Sequence, residues 1–304
     1  MLKIGTVMLV HTGLMILCGM ISYALADSIE AKGAGARLLS EFVTAFGYAA
    51  PFLCAAALLM ILIPKESREP MRLRPAGGVD TVLVVIAGIG ITYGAAYLNS
   101  LFVSFIDFSG VYEDTAIHDP TDIVSAFLQT ALVPAFCEEF LFRGCICSQL
   151  LPYGKKTAVI GSALLFALMH GNFQQFFYTF AAGIVLGLAY TGSGSIWPGT
   201  FMHMFNNMIS IPDEWFRAFL GPEQASLAGS FLEAAVLISG LAAAAVLIIR
   251  RKGRVLSDGG AVPHAVKEMP HYVNVPRLYF APTVIVFAAV SVAEGGLAVI
   301  MSLL

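Results

Sequence analysis

Residues 136–144 have the sequence Phe-Cys-Glu-Glu-Phe-Leu-Phe-Arg-Gly, which places Glu138, Glu139 and Arg143 in a stretch otherwise apolar enough to cross a bilayer. A charged side chain at membrane depth costs about 2.5–3.5 kcal/mol on insertion scales, so such residues are rare and usually functional. This stretch therefore indicates a membrane protein and marks the place where chemistry is expected.

The composition of the whole chain indicates a polytopic membrane protein. Of its 304 residues, 58% are hydrophobic and only 12% are charged, and the mean hydropathy is +0.81. A soluble domain carries about 25% charged residues. This composition makes the lipid bilayer the expected partner. The net charge of -3 says nothing about nucleic acid, and because no basic tract is long enough to suggest it, no nucleic-acid partner is expected. The five cysteines lie in apolar segments without a CxxC pair and are expected to be packing residues.

Nine apolar segments predict an all-α transmembrane bundle of about eight or nine membrane helices. They cover residues 4–26, 42–63, 80–106, 122–151, 157–171, 173–191, 196–211, 229–249 and 278–303. Most reach the ~20 residues that a spanning helix needs. We expect residues 1–304 to form a single membrane domain. The first segment is longer than the apolar core of a signal peptide, which favours a retained anchor.

Two smaller features concern helix packing. Gly183 and Gly187 have the GxxxG spacing that lets two helices approach closely, and we expect it to serve packing within the chain. Pro134 lies one turn before Glu138 and is expected to free a carbonyl and bend the helix there.

The basic residues predict the orientation, because cytoplasmic loops carry an excess of Lys and Arg. With a cytoplasmic N-terminus, the cytoplasmic side holds Lys3, Lys65, Arg68, Arg72, Arg74, Lys155, Lys156, Arg250, Arg251, Lys252, Arg254 and Lys267, with Arg277 at its edge. The opposite side holds Lys32, Arg37 and Arg217, and an acidic loop with Asp107, Glu113, Asp114 and Asp119. An odd number of segments would place the C-terminus outside.

The two glutamates are expected to have different roles. Residues four apart share a helix face, so Arg143 is expected to pair with and orient Glu139. Glu138 points about 100° away and would face a cavity, where it could act as a general base for water. The alternative is a buried salt-bridge cluster that only fixes helix packing.

Two histidines on later segments are further candidates. His170 has Phe166 one turn earlier on the same face, and His203 has Asn207 four residues later. An amide at that position can fix an imidazole tautomer or hydrogen-bond an oxyanion. Alone, either histidine is more simply a packing residue. Counted at 1.5 Å per residue, Glu138 lies about 18 Å, His170 about 20 Å and His203 about 10 Å from the proposed cytoplasmic helix ends, so the three can meet.

The ordered motifs EExxxR (Glu138, Glu139, Arg143), FxxxH (Phe166, His170) and HxxxN (His203, Asn207) resemble the CAAX-processing and bacteriocin-processing (CPBP, or Abi) family of intramembrane proteases. The resemblance covers residues 122–211, and residues 1–121 and 212–304 would add further membrane helices. It implies a helical endopeptidase of a membrane, here expected to be the bacterial plasma membrane, whose site opens toward the cytoplasm. It also implies that Glu138 activates water, that His170 assists and that His203 and Asn207 form the oxyanion site. The substrate would be a peptide or a membrane protein.

Metal dependence is left open by the motifs. His170, His203 and a glutamate resemble a catalytic His₂Glu zinc set, yet no HExxH is present. A mechanism that needs no cofactor is favoured, and a single divalent metal such as zinc is the alternative.

Two other functions fit a membrane bundle. One is a non-catalytic scaffold or regulator with the same fold, which would not need both glutamates. The other is a proton-coupled transporter with a Glu–His relay. Against the transporter, the sequence shows no inverted repeat, and its ionisable residues cluster at one site.

Overall fold

The computed structural model describes residues 2–31, 36–104, 120–251 and 281–303. These residues form helices and no strand. The helices are α1 (Leu2–Glu30), α2 (Arg37–Leu62), α3 (Val79–Ser104), α4 (Asp122–Tyr153), α5 (Lys155–Met169), α6 (Phe173–Ser193), α7 (Trp197–Met208), α8 (Ser210–Phe219), α9 (Pro222–Arg251) and α10 (Pro282–Leu303).

The predicted all-α polytopic class is confirmed. Each of the nine predicted apolar segments contains a helix. Among the described residues, six helices are long and apolar enough to cross a membrane: α1, α2, α3, α4, α6 and α9. The acidic loop predicted around Asp107, Glu113, Asp114 and Asp119 lies outside the described residues, as does most of the basic loop after α9.

The segment predicted at 196–211 is the one whose boundary changes. Its helix α7 ends at Met208, and the amphipathic helix α8 follows from Ser210. Pro212 explains the break, because it has no N–H to bond the Met208 carbonyl one turn earlier. The helix α8 carries Trp215 next to Phe216 and Phe219, the aromatic composition found at membrane interfaces.

Small residues allow the closest helix contacts. A Cβ atom added to Gly183 would lie 2.9 Å from the Cα of Ala163, and one added to Gly187 would lie 3.1 Å from Val159. The predicted GxxxG pair therefore packs α6 against α5 within the chain, as expected. Gly90 and Gly240 allow a similar contact between α3 and α9.

The helix α4 contains two π-helical stretches, Phe127–Leu132 and Phe140–Cys147. They flank the α-helical turns with both glutamates, Val133–Glu139. Pro134 lacks the N–H that would bond the Thr130 carbonyl, and the first π-helical stretch adjoins that position. Such π-helical insertions often occur at functional sites.

Most basic residues of the described part of the chain lie at one end of the bundle, which we call the basic end: Lys3, Lys65, Arg68, Arg72, Arg74, Lys155, Lys156 and Arg250. The Lys3 Nζ atom donates to the Leu62 carbonyl at 2.6 Å, which joins the start of α1 to the end of α2. The α2–α3 connection contacts the end of α4 and the start of α7, where the Ile196 N–H donates to the Arg72 carbonyl at 2.9 Å. Arg250 at the end of α9 pairs with Asp80 at the start of α3.

Candidate active site

Arg143 and Glu139 form the buried ion pair that their spacing predicts. The Arg143 Nη1 atom lies 2.5 Å from Oε1 of Glu139, and both side chains are fully buried. Arg143 also donates from Nη2 to the Gly183 carbonyl at 3.1 Å. Its guanidinium lies 4.6 Å from the centre of the Phe166 ring, a cation–π distance. Hydrogen bonds and the aromatic face thus stabilise a charge that the membrane interior would otherwise disfavour.

Glu138 points to other partners. Its Oε1 atom accepts a hydrogen bond from the Tyr48 hydroxyl on α2. Its Oε2 atom has no hydrogen-bond partner among the described residues, although it is buried, and lies 3.7 Å from Nε2 of His203. A buried carboxylate oxygen without a partner is costly unless water or substrate binds it. Glu138 is therefore held on one side and available on the other.

His203 lies between the two glutamates. Its Nδ1 atom is 3.1 Å from Oε1 of Glu139, while its Nε2 atom faces Glu138. Because an ionised carboxylate only accepts hydrogen bonds, Nδ1 is the donor in the contact with Glu139. Glu139 therefore orients His203, in addition to pairing with Arg143. The motif spacing did not reveal this second contact.

His170 is fixed by the helix that it ends. Its Nδ1 atom lies 2.8 Å from the Phe166 carbonyl, so Nδ1 is the donor and Nε2 of the neutral ring is an acceptor. The Phe166 ring contacts His170 and His203 edge-on, at centroid distances of 4.8 Å and 5.7 Å. The FxxxH motif thus supplies an aromatic ring against which both histidines and Arg143 pack.

Asn207 has a contact that the sequence did not predict. Its Nδ2 atom donates at 3.0 Å to the carbonyl of Thr130, the group that Pro134 leaves without its usual helical donor. Its neighbour Asn206 donates to the Tyr178 hydroxyl. Asn207 therefore ties α7 to the first π-helical stretch of α4, while it also lines the cavity described next.

A cavity of about 140 Å³ joins these groups. Its volume leaves room for several water molecules, and its walls offer the polar partners that such water needs. The wall is formed by residues from α3 to α7: Thr92, Glu138, Phe166, His170, Gln175, Tyr178, Thr179, Ala182, Leu186, Met202, His203, Asn206 and Asn207. All three motifs therefore meet at one cavity that can hold water.

The side chains do not form the His₂Glu ligand set considered from the sequence. Within the described residues, no group of three or more His, Cys, Asp or Glu side chains is placed to hold a metal ion. The Nδ1 atoms of His170 and His203 are already engaged, by a backbone carbonyl and by Glu139.

Tyr48 is a site residue that sequence reasoning missed. It lies on α2, 90 residues before Glu138, and belongs to none of the three motifs. The tilted ring of Phe52, at 5.1 Å, packs against it. A tyrosine in an apolar helix has no spacing signal toward a distant glutamate, so only the packing of α2 against α4 reveals the contact.

One known family matches the segment that carries the three motifs. The family model described as Type II CAAX prenyl endopeptidase Rce1-like matches residues 120–209. The match confirms the resemblance drawn from the motifs, and the class it indicates is a CAAX-type intramembrane peptidase. No curated protein and no solved structure gives a significant match. Tyr48 and Thr92 lie outside the matched segment.

Proposed function

We propose that this protein is an intramembrane endopeptidase in which Glu138 activates a water molecule for attack on a peptide bond. The observation that carries the proposal is the Oε2 atom of Glu138, which has no hydrogen-bond partner among the described residues, belongs to a residue that lines the cavity and lies 3.7 Å from Nε2 of His203. A purely structural salt-bridge cluster explains Glu139 and Arg143 but gives no reason for a second buried carboxylate.

The site holds two buried carboxylates and one guanidinium, and Arg143 pairs with Glu139. His203 lies between the two carboxylates, so both can stabilise positive charge on its ring while Nε2 donates to the reacting oxygen.

The proposed reaction proceeds in two proton transfers. Glu138 takes a proton from water as the oxygen attacks the peptide carbonyl carbon, and the protonated His203 Nε2 stabilises the resulting oxyanion. The lone pair of His170 Nε2 orients the water. As the C–N bond breaks, Glu138 returns its proton to the leaving amine. Asn207 keeps α7 in register with α4 and is a further candidate donor to the oxyanion.

The family match supports a CAAX-type endopeptidase, and we propose that a peptide or membrane protein is the substrate. The rival functions are weaker. A scaffold needs no cavity that can hold water beside a carboxylate oxygen without a hydrogen-bond partner. Among the described residues, the ionisable side chains Glu138, His170 and His203 meet at this cavity. They form no path across the bundle, and a proton-coupled transporter would require such a path.

The test begins with the substrate. Peptides of the membrane and medium are compared between a wild-type and a Glu138→Ala strain, and the peptide that differs becomes the assay substrate. Glu138→Gln should then abolish turnover and leave thermal stability and substrate binding unchanged. Glu139→Gln should unfold more easily, because it strands the Arg143 charge at a cost of about 3–5 kcal/mol.

Glu66→Gln on the exposed connection between α2 and α3 is the matched control and should behave as wild type. Equal destabilisation by the Glu138 and Glu139 changes would favour the structural salt-bridge interpretation. Turnover that survives in folded Glu138→Gln would rule out Glu138 as the base.

A further inference from the structure

We infer that the catalytic cavity is entered from the non-cytoplasmic face of the membrane, so that the substrate is a segment of a translocated or membrane-anchored protein. That the entering molecule is a substrate rests on the proposed function, but the direction of entry follows from burial and charge alone.

One end of the cavity is closed and apolar. Leu186 and Met202 are 2% and 1% exposed, and Ala182 is 6% exposed. The fully buried Arg143 lies on the same side, held by the Gly183 carbonyl. No route for water leads out of this end among the described residues.

The other end is polar and partly exposed. His170, Gln175, Tyr178, Asn206 and Asn207 line the cavity and are each partly exposed. Amide and hydroxyl groups of this kind suit the backbone of an extended peptide, which must keep its hydrogen bonds in a membrane.

This polar end is remote from the basic end. The Asn99 Nδ2 atom donates at 2.6 Å to the Gln174 carbonyl, so the beginning of α6 is level with Asn99. Asn99 is 20 residues beyond Val79, which is about 30 Å along α3. Thr92, buried in the cavity wall, is about 20 Å from the same point. The polar, partly exposed end of the cavity therefore lies away from the basic end.

The charge distribution identifies the basic end as cytoplasmic. It collects Lys3, the four basic residues of the 65–74 connection, Lys155, Lys156 and Arg250. In the described part of the opposite end, Arg37 and Arg217 are the basic residues, and Arg37 pairs with Asp122. This asymmetry is the pattern that retains loops in the cytoplasm.

Two sequence-based expectations are thus incompatible in this structure. A cytoplasmic N-terminus and a site that opens toward the cytoplasm cannot both hold, because Lys3 and the mouth of the cavity lie at opposite ends. The charge pattern comes from this chain, whereas the cytoplasmic opening came from the resemblance, so the resemblance-based expectation is the one we replace.

The test labels single added cysteines with a small, charged, membrane-impermeant methanethiosulfonate. Gln175→Cys reports the mouth, Ser67→Cys the basic end and Glu223→Cys the opposite end. Each is treated in intact cells and in inside-out vesicles, and the labelling of the parent with its five native cysteines is subtracted. Because labelling does not depend on turnover, failure of the proposed peptidase activity would leave this result unaffected.

Gln175→Cys and Glu223→Cys should label at least about ten times more in intact cells than Ser67→Cys, and the order should reverse in inside-out vesicles. The proposal is overturned if Gln175→Cys follows Ser67→Cys. It is also overturned if both controls label and Gln175→Cys labels from neither face, because the cavity would then have no aqueous mouth.

Discussion

Tyr48 holds one oxygen of the proposed general base from a helix outside the matched segment. A hydrogen bond to a charged group contributes about 1.5–3 kcal/mol, and here it fixes which carboxylate oxygen faces His203. Its role is therefore one of positioning as well as stabilisation.

We predict that Tyr48→Phe lowers kcat about 10- to 100-fold and leaves KM nearly unchanged, because the Glu138 carboxylate can rotate once its Oε1 partner is lost. Steady-state kinetics on the identified substrate measure the effect. Tyr97→Phe, on the half-exposed Tyr97 of α3, is the control. A rise in KM with unchanged kcat would contradict a positioning role.

Metal content separates the two chemistries that the histidines allow. The proposed mechanism uses His203 as an acid and His170 as an acceptor. We therefore expect purified active protein to contain no stoichiometric metal and to remain active in a chelator. Elemental analysis beside the activity assay measures this. Stoichiometric zinc that disappears in His203→Ala would instead establish a metal site.

At the scale of the helix, α6 has two functions through one glycine. Gly183 lets α6 contact α5 at Ala163, and its carbonyl accepts a hydrogen bond from Arg143. The packing that brings the helices together therefore also gives a buried hydrogen-bond donor of the active site its acceptor.

We predict that Gly183→Ala destabilises the protein by about 1–3 kcal/mol and lowers activity, because the added Cβ would clash with the backbone of Ala163 and push the carbonyl away from Arg143. Thermal unfolding in detergent measures the effect. Gly192→Ala, on the same helix with open space around it, should be neutral or stabilising. Equal effects of the two changes would contradict this account.

The helices themselves were predictable, whereas their irregularities were only partly so. Periodic apolar runs located every segment, and the i to i+4 spacing placed Arg143 on Glu139. Pro134 pointed to a freed carbonyl, but the donor to that carbonyl of Thr130 is Asn207, 77 residues further along the chain. Contacts across such separations depend on how helices pack, and neither Tyr48 on Glu138 nor Glu139 on His203 has a local signal.

For the molecule as a whole, the matched segment does not build the site alone. Tyr48 from α2 and Thr92 from α3 join residues 120–209 at the cavity. The first three helices also pack on the rest of the bundle, as in the contact of Gly90 with Gly240.

We predict that residues 105–304 expressed alone insert into the membrane but show no turnover, because Glu138 then lacks its Tyr48 partner and one cavity wall is missing. Co-expression of residues 1–104 as a separate chain should restore measurable activity and co-purify with the larger fragment. Full activity of the larger fragment alone would show that the flanking helices are dispensable.

The volume of the cavity has a consequence for which peptides can be cut. At about 140 Å³ it is far too small for a helix, which with its side chains is about 10–12 Å wide. A membrane-embedded substrate must therefore unwind before its scissile bond reaches Glu138. The free energy of that unwinding is smallest for segments rich in glycine, proline or other poor helix formers. Cleavage would then be governed by how easily a stretch of substrate melts, more than by the identity of the side chains beside the cut.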